Sequence, residues 1–189
     1  MARNRTWTAL LALVTLVTLV ALSAPSWGGM LPPPKGELFT ADLSGYEEVT
    51  PKSTAGTGSF KLTVAKTGMI EYELSYSGLE SEVRQAHIHF GQPGVNGGII
   101  VFLCTNMGNG PNGDEPACPQ SGTVKGSFDA DDIIGPTDQG ITGGELDEAL
   151  AAIRSGVTYA NIHTVVYPGG EIRGQITEKR MGMIPWLQK

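Results

Sequence analysis

Two neighbouring segments with strict two-residue alternation constrain the fold of this chain more than any other feature. In residues 60–64, and again in residues 70–76, apolar side chains alternate with polar ones. The intervening Lys66-Thr67-Gly68 is typical of a turn. Alternation places the apolar side chains on one face of each strand, so the pair predicts an antiparallel hairpin with one buried face. The chain must therefore cover that face with another layer.

Similar segments recur along most of the chain. Further strands are predicted at residues 37–43, 83–90, 98–103, 122–129, 157–167 and 170–176. Only residues 144–154 combine helical spacing of apolar residues with acidic residues near the start, which predicts one short helix. Two sheets that bury their apolar faces against each other explain this pattern economically. We therefore expect an all-β fold, an antiparallel β-sandwich with one short helix.

The first 26 residues are typical of a secretory signal peptide. Arg3 and Arg5 precede an apolar run at residues 10–22, and small residues follow. The run is short for a membrane span, although an uncleaved N-terminal anchor is the alternative interpretation. We expect a proline-rich lead at residues 27–36 and a C-terminal tail at residues 179–189. The protein is then secreted or periplasmic, without a membrane span once the signal is removed.

The charge balance of the chain disfavours two classes of partner. Removal of the two arginines in the signal leaves 11 basic and 19 acidic residues, a net charge of about −8. An acidic surface without a basic stripe disfavours nucleic acids and anionic membranes as partners.

Cys104 and Cys118 are the two cysteines of the chain. In an oxidising compartment, a pair that flanks a segment rich in turn-forming residues favours a disulfide. Closing a loop of this size would stabilise the fold by roughly 3 kcal/mol. The alternative, a pair of metal thiolates, fits zinc motifs poorly because neither cysteine belongs to a CxxC pair.

All three histidines of the chain lie in two strand-like motifs. His87 and His89 are two residues apart, so their imidazoles project from one face of a strand. Together with His163 they are candidate ligands for copper or zinc, since both ions accept imidazole and three nitrogens leave one position open. The alternative is a structural role in which neighbouring groups satisfy the ring nitrogens. The metal interpretation requires His163 to lie on the same face, within about 8 Å of the pair.

Three motifs resemble the CHRD domain, a family named for the repeats of the developmental inhibitor chordin. They are LSGYEEVTP at residues 43–51, AHIHFGQPGVNGGIIVFL at residues 86–103 and YANIHTVVYPGGEIRGQI at residues 159–176. The resemblance covers about residues 37–178, and one departure is Thr50, where the family usually has proline. The resemblance to this family implies an immunoglobulin-type or superoxide-dismutase-like β-sandwich. Most bacterial members have no assigned activity.

A weaker similarity is to copper-zinc superoxide dismutase, in which an HxH strand also contributes copper ligands. This similarity makes Arg173 a candidate anion guide. If Pro168 and Gly169 alone form the preceding turn, Arg173 lies on the face away from His163, whereas a three-residue turn brings it onto the histidine face. The sequence leaves both registers open, as well as an ordinary cross-strand pairing with an acidic neighbour.

These observations favour a non-catalytic extracellular binding module over an enzyme. The module would carry a copper or zinc ion at the three histidines and bind an unidentified extracellular protein or small ligand. The alternative is a redox enzyme in which a single copper ion acts on superoxide.

Overall fold

The computed structural model describes residues 36–179. This part of the chain contains one α-helix, α1 (Leu146–Arg154), and nine strands. The strands are β1 (Glu37–Ser44), β2 (Thr57–Val64), β3 (Ile70–Ser77), β4 (Val83–Phe90), β5 (Gly98–Thr105), β6 (Gly122–Phe128), β7 (Thr158–Thr164), β8 (Ile172–Gln175) and β9 (Thr177–Glu178). Apart from Gly36 and Lys179, the predicted signal peptide (1–26), proline-rich lead (27–36) and tail (179–189) lie outside the described residues.

The strands form one continuous antiparallel sheet in the order β5-β4-β7-β8-β1-β2-β3-β6, with β9 also paired to β1. The sheet curves until its two ends approach each other, and the Tyr72 hydroxyl of β3 donates a hydrogen bond of 2.6 Å to the Leu103 carbonyl of β5. The prediction of an all-β antiparallel fold with one short helix is confirmed. The sheet is barrel-like rather than a sandwich of two separate sheets, because curvature lets a single sheet bury its own apolar face.

The hairpin predicted from alternation is β2 and β3. Val64 pairs with Ile70 at the turn, where the Ala65 amide donates to the Met69 carbonyl at 2.8 Å. Gly68 has a φ of 87° in this turn, a conformation that costs glycine little. The inward side chains of the hairpin are buried in the core, as the alternation predicts.

The core fills the concave side of the sheet. Its largest fully buried side chains are those of Phe39, Phe60, Leu62, Ile70, Leu74, Ile88, Ile100, Leu103, Ile133, Ile153, Ile162 and Ile172. Burial of each such side chain contributes about 1.5–3 kcal/mol. Ile153 comes from α1, and Arg154 at the end of α1 forms an ion pair of 2.8 Å with Glu37 of β1. Within residues 36–179, no helix has the length and hydropathy of a membrane span.

The predicted disulfide is confirmed between Cys104 and Cys118. It ties the end of β5 to the segment that leads into β6. Asn106 reinforces the connection, because its Nδ2 donates to the carbonyls of Val83 (2.9 Å) and Cys118 (2.8 Å). Both sulfurs are consumed by this bond and are not available as metal thiolates.

Candidate metal site

The histidine pair and the distant third histidine lie on adjacent strands. β4 and β7 are antiparallel neighbours, in which His87 pairs with Asn161 and Gln85 pairs with His163. This register places the three imidazoles on one face of the sheet. The intervening Ile88 and Ile162 belong to the core on the other face.

The three imidazoles converge as the metal interpretation requires. One ring nitrogen from each histidine can be chosen so that all three lie within 4.8 Å of one another. Ring centroids are 4.9 Å apart for His87 and His163, 5.4 Å for His87 and His89, and 5.6 Å for His89 and His163. Three nitrogens bound to one ion at about 2.0–2.1 Å lie up to about 4 Å apart, so a small side-chain rotation would complete the site.

Backbone carbonyls fix the tautomers of two histidines. Nδ1 of His89 lies 2.9 Å from the Gly97 carbonyl oxygen, and Nδ1 of His163 lies 3.0 Å from that of Pro168. A carbonyl oxygen only accepts, so both Nδ1 atoms carry the hydrogen and both Nε2 atoms keep a free lone pair. Histidine ligands of metal ions are usually held in this way.

The cluster concentrates the unsatisfied polar atoms of the interior. Across residues 36–179, five buried side-chain nitrogen or oxygen atoms lack a hydrogen-bond partner, and four of them belong to the three histidines. They are Nδ1 and Nε2 of His87 together with Nε2 of His89 and of His163. Buried polar groups are normally paired, so a cluster of unpaired ones marks a site that fits an external partner.

All three histidines are held in the neutral form that binds metals. Burial lowers the pKa of His87 to about 2, and the neighbouring His163 and His89 lower it further. Burial also lowers the pKa of His89 and of His163 to about 4, although their bonds to backbone carbonyls oppose that shift. At neutral pH an incoming ion would therefore displace no proton from these rings.

Aromatic rings line the cluster. Phe102 meets His87 edge-on at 4.3 Å between centroids, and Tyr159 stacks on His89 at 4.9 Å with an interplanar angle of 6°. The guanidinium of Arg173 lies 4.5 Å from the centre of the Tyr159 ring. His89, Tyr159 and Arg173 therefore form a continuous stack beside the cluster.

Arg173 lies on the histidine face, which settles the register that the sequence leaves open. It pairs with Asn161, because the connection between β7 and β8 is longer than a two-residue turn. Arg173 is buried, and its guanidinium donates to the carbonyls of Glu47 (2.6 Å) and Val95 (3.3 Å) and to Oδ1 of Asn96 (3.0 Å). The role of Arg173 as an anion guide stays a prediction.

Two buried carboxyl groups lie on neighbouring elements. Burial raises the pKa of Glu48, although a 2.7 Å hydrogen bond from Asn161 and the charges of Arg173 and Lys52 oppose the shift. The carboxylate of Glu171 accepts hydrogen bonds from the hydroxyls of Thr54 and Thr164 and from the Glu80 amide. Both groups are engaged by other partners and neither joins the histidine cluster.

Sequence reasoning missed the residues that hold the histidines in place. Gly97 accepts from His89 through its carbonyl and donates from its amide to the Tyr159 hydroxyl at 3.2 Å. A Cβ at this position would collide with the Phe90 carbonyl, so only glycine fits. The signal in the sequence is the Gly97-Gly98 doublet at the start of β5, which indicates close backbone approach.

Comparison with known proteins gives one finding. The family model of the CHRD domain matches residues 39–176. No curated protein and no solved structure matches the chain.

Proposed function

The chain belongs to the CHRD domain family, and we propose that it is a metal-binding member whose His87, His89 and His163 hold one copper or zinc ion. The observation that carries this proposal is the set of four buried, unpartnered ring nitrogens in one cluster. Imidazole nitrogen is a ligand that suits both ions.

The cost of unpaired buried nitrogen atoms favours a bound ion over a purely structural role for the histidines. Each buried polar atom left without a partner costs about 1–3 kcal/mol. Histidines kept only for packing would be expected to pair their nitrogens with the backbone, as Nδ1 of His89 and of His163 do. An ion bound to one nitrogen of each ring would satisfy three of the four and recover most of this cost.

The surroundings favour binding over catalysis. The exposed fractions of His87, His89 and His163 are 0%, 7% and 6%, so a substrate would have little access to a bound ion. The candidate anion guide, Arg173, is immobilised by backbone carbonyls and separated from His89 by Tyr159. We therefore favour a non-catalytic module, with copper-dependent superoxide turnover as the alternative.

The proposed location is extracellular or periplasmic. A disulfide between Cys104 and Cys118 is typical of proteins that fold in an oxidising compartment. In that setting the partner would be an extracellular protein or a small ligand that approaches the loops over the histidine face.

Titration of the metal-free full chain with copper, in both of its oxidation states, and with zinc tests the proposal. We expect uptake of one equivalent of ion, lost in His87→Leu and retained in Gln85→Leu. Gln85 is the matched control because it lies on the same strand and face but outside the cluster. No uptake of either ion, or equal uptake in His87→Leu, would overturn the proposal.

The enzymatic alternative is separated by a second assay. The copper-loaded protein is compared with an equal amount of free copper for dismutation of superoxide. A rate no higher than that of the free ion supports the binding module, whereas a higher rate that disappears in His87→Leu supports the enzyme.

A further inference from the structure

We propose that the three-histidine site selects copper in its cuprous state, Cu(I), over Cu(II) and Zn(II). This inference rests on the metal-binding function proposed above and adds the identity and oxidation state of the ion. Three independent features of the site point to it: the number of ligands, the dryness of the surroundings and the sign of the nearby charges.

The number of ligands is the first feature. Within residues 36–179, no further histidine, cysteine, aspartate or glutamate joins the three histidines in a potential metal group. Zn(II) is almost always bound by four ligands in a tetrahedral arrangement. Cu(I) has a filled d shell and accepts three ligands in a trigonal arrangement. A three-nitrogen set therefore completes the coordination of Cu(I) but not that of Zn(II).

The second feature is that the surroundings of the cluster are buried and largely apolar. A water molecule as fourth ligand would need two to four polar partners. Next to the cluster lie the rings of Phe102 and Tyr159, and His87 is fully buried. These aromatic rings offer few hydrogen bonds to a water molecule that would act as the fourth ligand.

The net charge of the complex is part of the same argument. Three neutral imidazoles leave the full charge of the ion in the buried site, +1 for Cu(I) and +2 for Cu(II) or Zn(II). The cost of moving an ion from water into a low-dielectric interior is large, and in the Born description it grows with the square of the charge. A dry site with neutral ligands therefore penalises divalent ions most.

The sign of the nearby charges is the third feature. The charged side chains that act on the cluster are cationic, Arg173 on His89 and Arg84 on His163. Neither buried carboxyl group acts on a histidine of the cluster: Glu171 accepts three hydrogen bonds elsewhere, and Glu48 accepts one from Asn161. A second positive charge on the ion is therefore opposed by its neighbours.

A preference for Cu(I) departs from the usual order of metal affinities. Nitrogen and oxygen sites generally bind Cu(II) more tightly than Zn(II) and other divalent ions of the first transition row. A site that instead favours Cu(I) must owe its preference to coordination number and electrostatics.

Competition titrations of the full chain, without oxygen for Cu(I), provide the test. The probes are Cu(I), Cu(II) and Zn(II), each titrated against a chromophoric chelator of known affinity. We expect Cu(I) to bind more than about tenfold tighter than either divalent ion. A ratio below tenfold for either ion overturns the inference while the binding function stands. Absence of binding by all three ions instead overturns the proposed function itself.

A charge variant tests the electrostatic part without altering a ligand. Arg84 is half-buried, and we expect Arg84→Gln to improve the affinity for Zn(II) more than that for Cu(I), shrinking their ratio roughly threefold. Lys61→Gln is the matched control, because it removes one positive charge from an exposed position on the distant β2. An unchanged ratio in Arg84→Gln, or an equal change in Lys61→Gln, contradicts the electrostatic argument.

Discussion

The two faces of β4 are both buried, but one carries apolar side chains and the other carries histidines. On one face, Ala86 and Ile88 are fully buried in the apolar core. On the other, His87 and His89 are 0% and 7% exposed, yet three of their four ring nitrogens have no partner. Alternate residues of this strand therefore stabilise the fold. The residues between them lower its stability, because they bury polar atoms without partners. The core face therefore supplies stability, and the histidine face leaves buried nitrogen atoms without a partner inside the protein.

Lowering the pH should have the largest effect, because it destabilises the histidine face and not the apolar face of β4. In the metal-free protein, burial holds the pKa of His89 and of His163 near 4 and that of His87 near 2, whereas the unfolded chain takes up these protons near pH 6.5. Because the unfolded state binds more protons, stability falls as the pH falls from 6.5 towards 4. The loss is about 1.4 kcal/mol per pH unit for each histidine.

Urea unfolding of the metal-free protein at several pH values measures this effect. We expect several kcal/mol to be lost between about pH 6.5 and 4.5. The variant His87→Leu has one titrating ring fewer and should lose about one third less. A stability that is constant from pH 7 to pH 5 would contradict the neutral, buried state of the cluster.

Truncation on the core face should produce the next largest effect. Ile88→Ala removes a fully buried side chain and should lower the free energy of unfolding by about 2–5 kcal/mol. Urea unfolding of the metal-free protein near pH 7.5 measures the loss. Metal affinity of the folded variant should change little, because Ile88 lies on the face away from the histidines. A large loss of affinity without a loss of stability would reverse the roles assigned to the two faces.

Replacement on the histidine face should have the opposite sign. In the metal-free protein, His87→Leu removes two unpartnered buried nitrogens and keeps an apolar side chain in their place. We expect the free energy of unfolding near pH 7.5 to rise by about 1 kcal/mol, while metal binding is lost. A variant that is several kcal/mol less stable would show that His87 has a structural role.

The last prediction concerns metal affinity rather than stability, through the support of His89. Gly97→Ala places a Cβ against the Phe90 carbonyl, so the backbone must shift and the Gly97 carbonyl moves away from His89. We expect metal affinity to fall about 10- to 100-fold, as for other groups that orient a ligand. Gly94→Ala on the same loop is the control for a change of loop stiffness, since a Cβ there meets no neighbour, although its positive φ adds some local strain. Equal effects of both variants would remove Gly97 from the site.

The sequence predicts the local elements well, because their signals are local. Alternation gives the β2–β3 hairpin, and the helical spacing near residues 144–154 gives α1, which begins at Leu146. The HxH pattern predicts that His87 and His89 share a face, and the structure brings His163 to them. The cysteine spacing and the expected compartment give the disulfide.

The remaining features depend on long-range packing. No sequence periodicity shows that β7 lies beside β4, or that the strands close into one curved sheet. The face of Arg173 depends on the length of the connection after β7, which the sequence leaves open. Gly97 and Pro168 hold histidines through their carbonyl groups, and a backbone carbonyl has no signature in a sequence.

The hydrogen bond from Tyr72 to Leu103 has a consequence for contacts between copies of the protein. An open sheet ends in two strands whose free amide and carbonyl groups can recruit strands from other molecules. Here the curvature turns the terminal strands β5 and β6 towards each other, and the tyrosine hydroxyl occupies one of those carbonyls. Gly126 of β6 leaves room for the phenol, since a Cβ there would meet the Tyr72 ring. The closure that builds the core thus also occupies part of the hydrogen-bonding edge of a terminal strand.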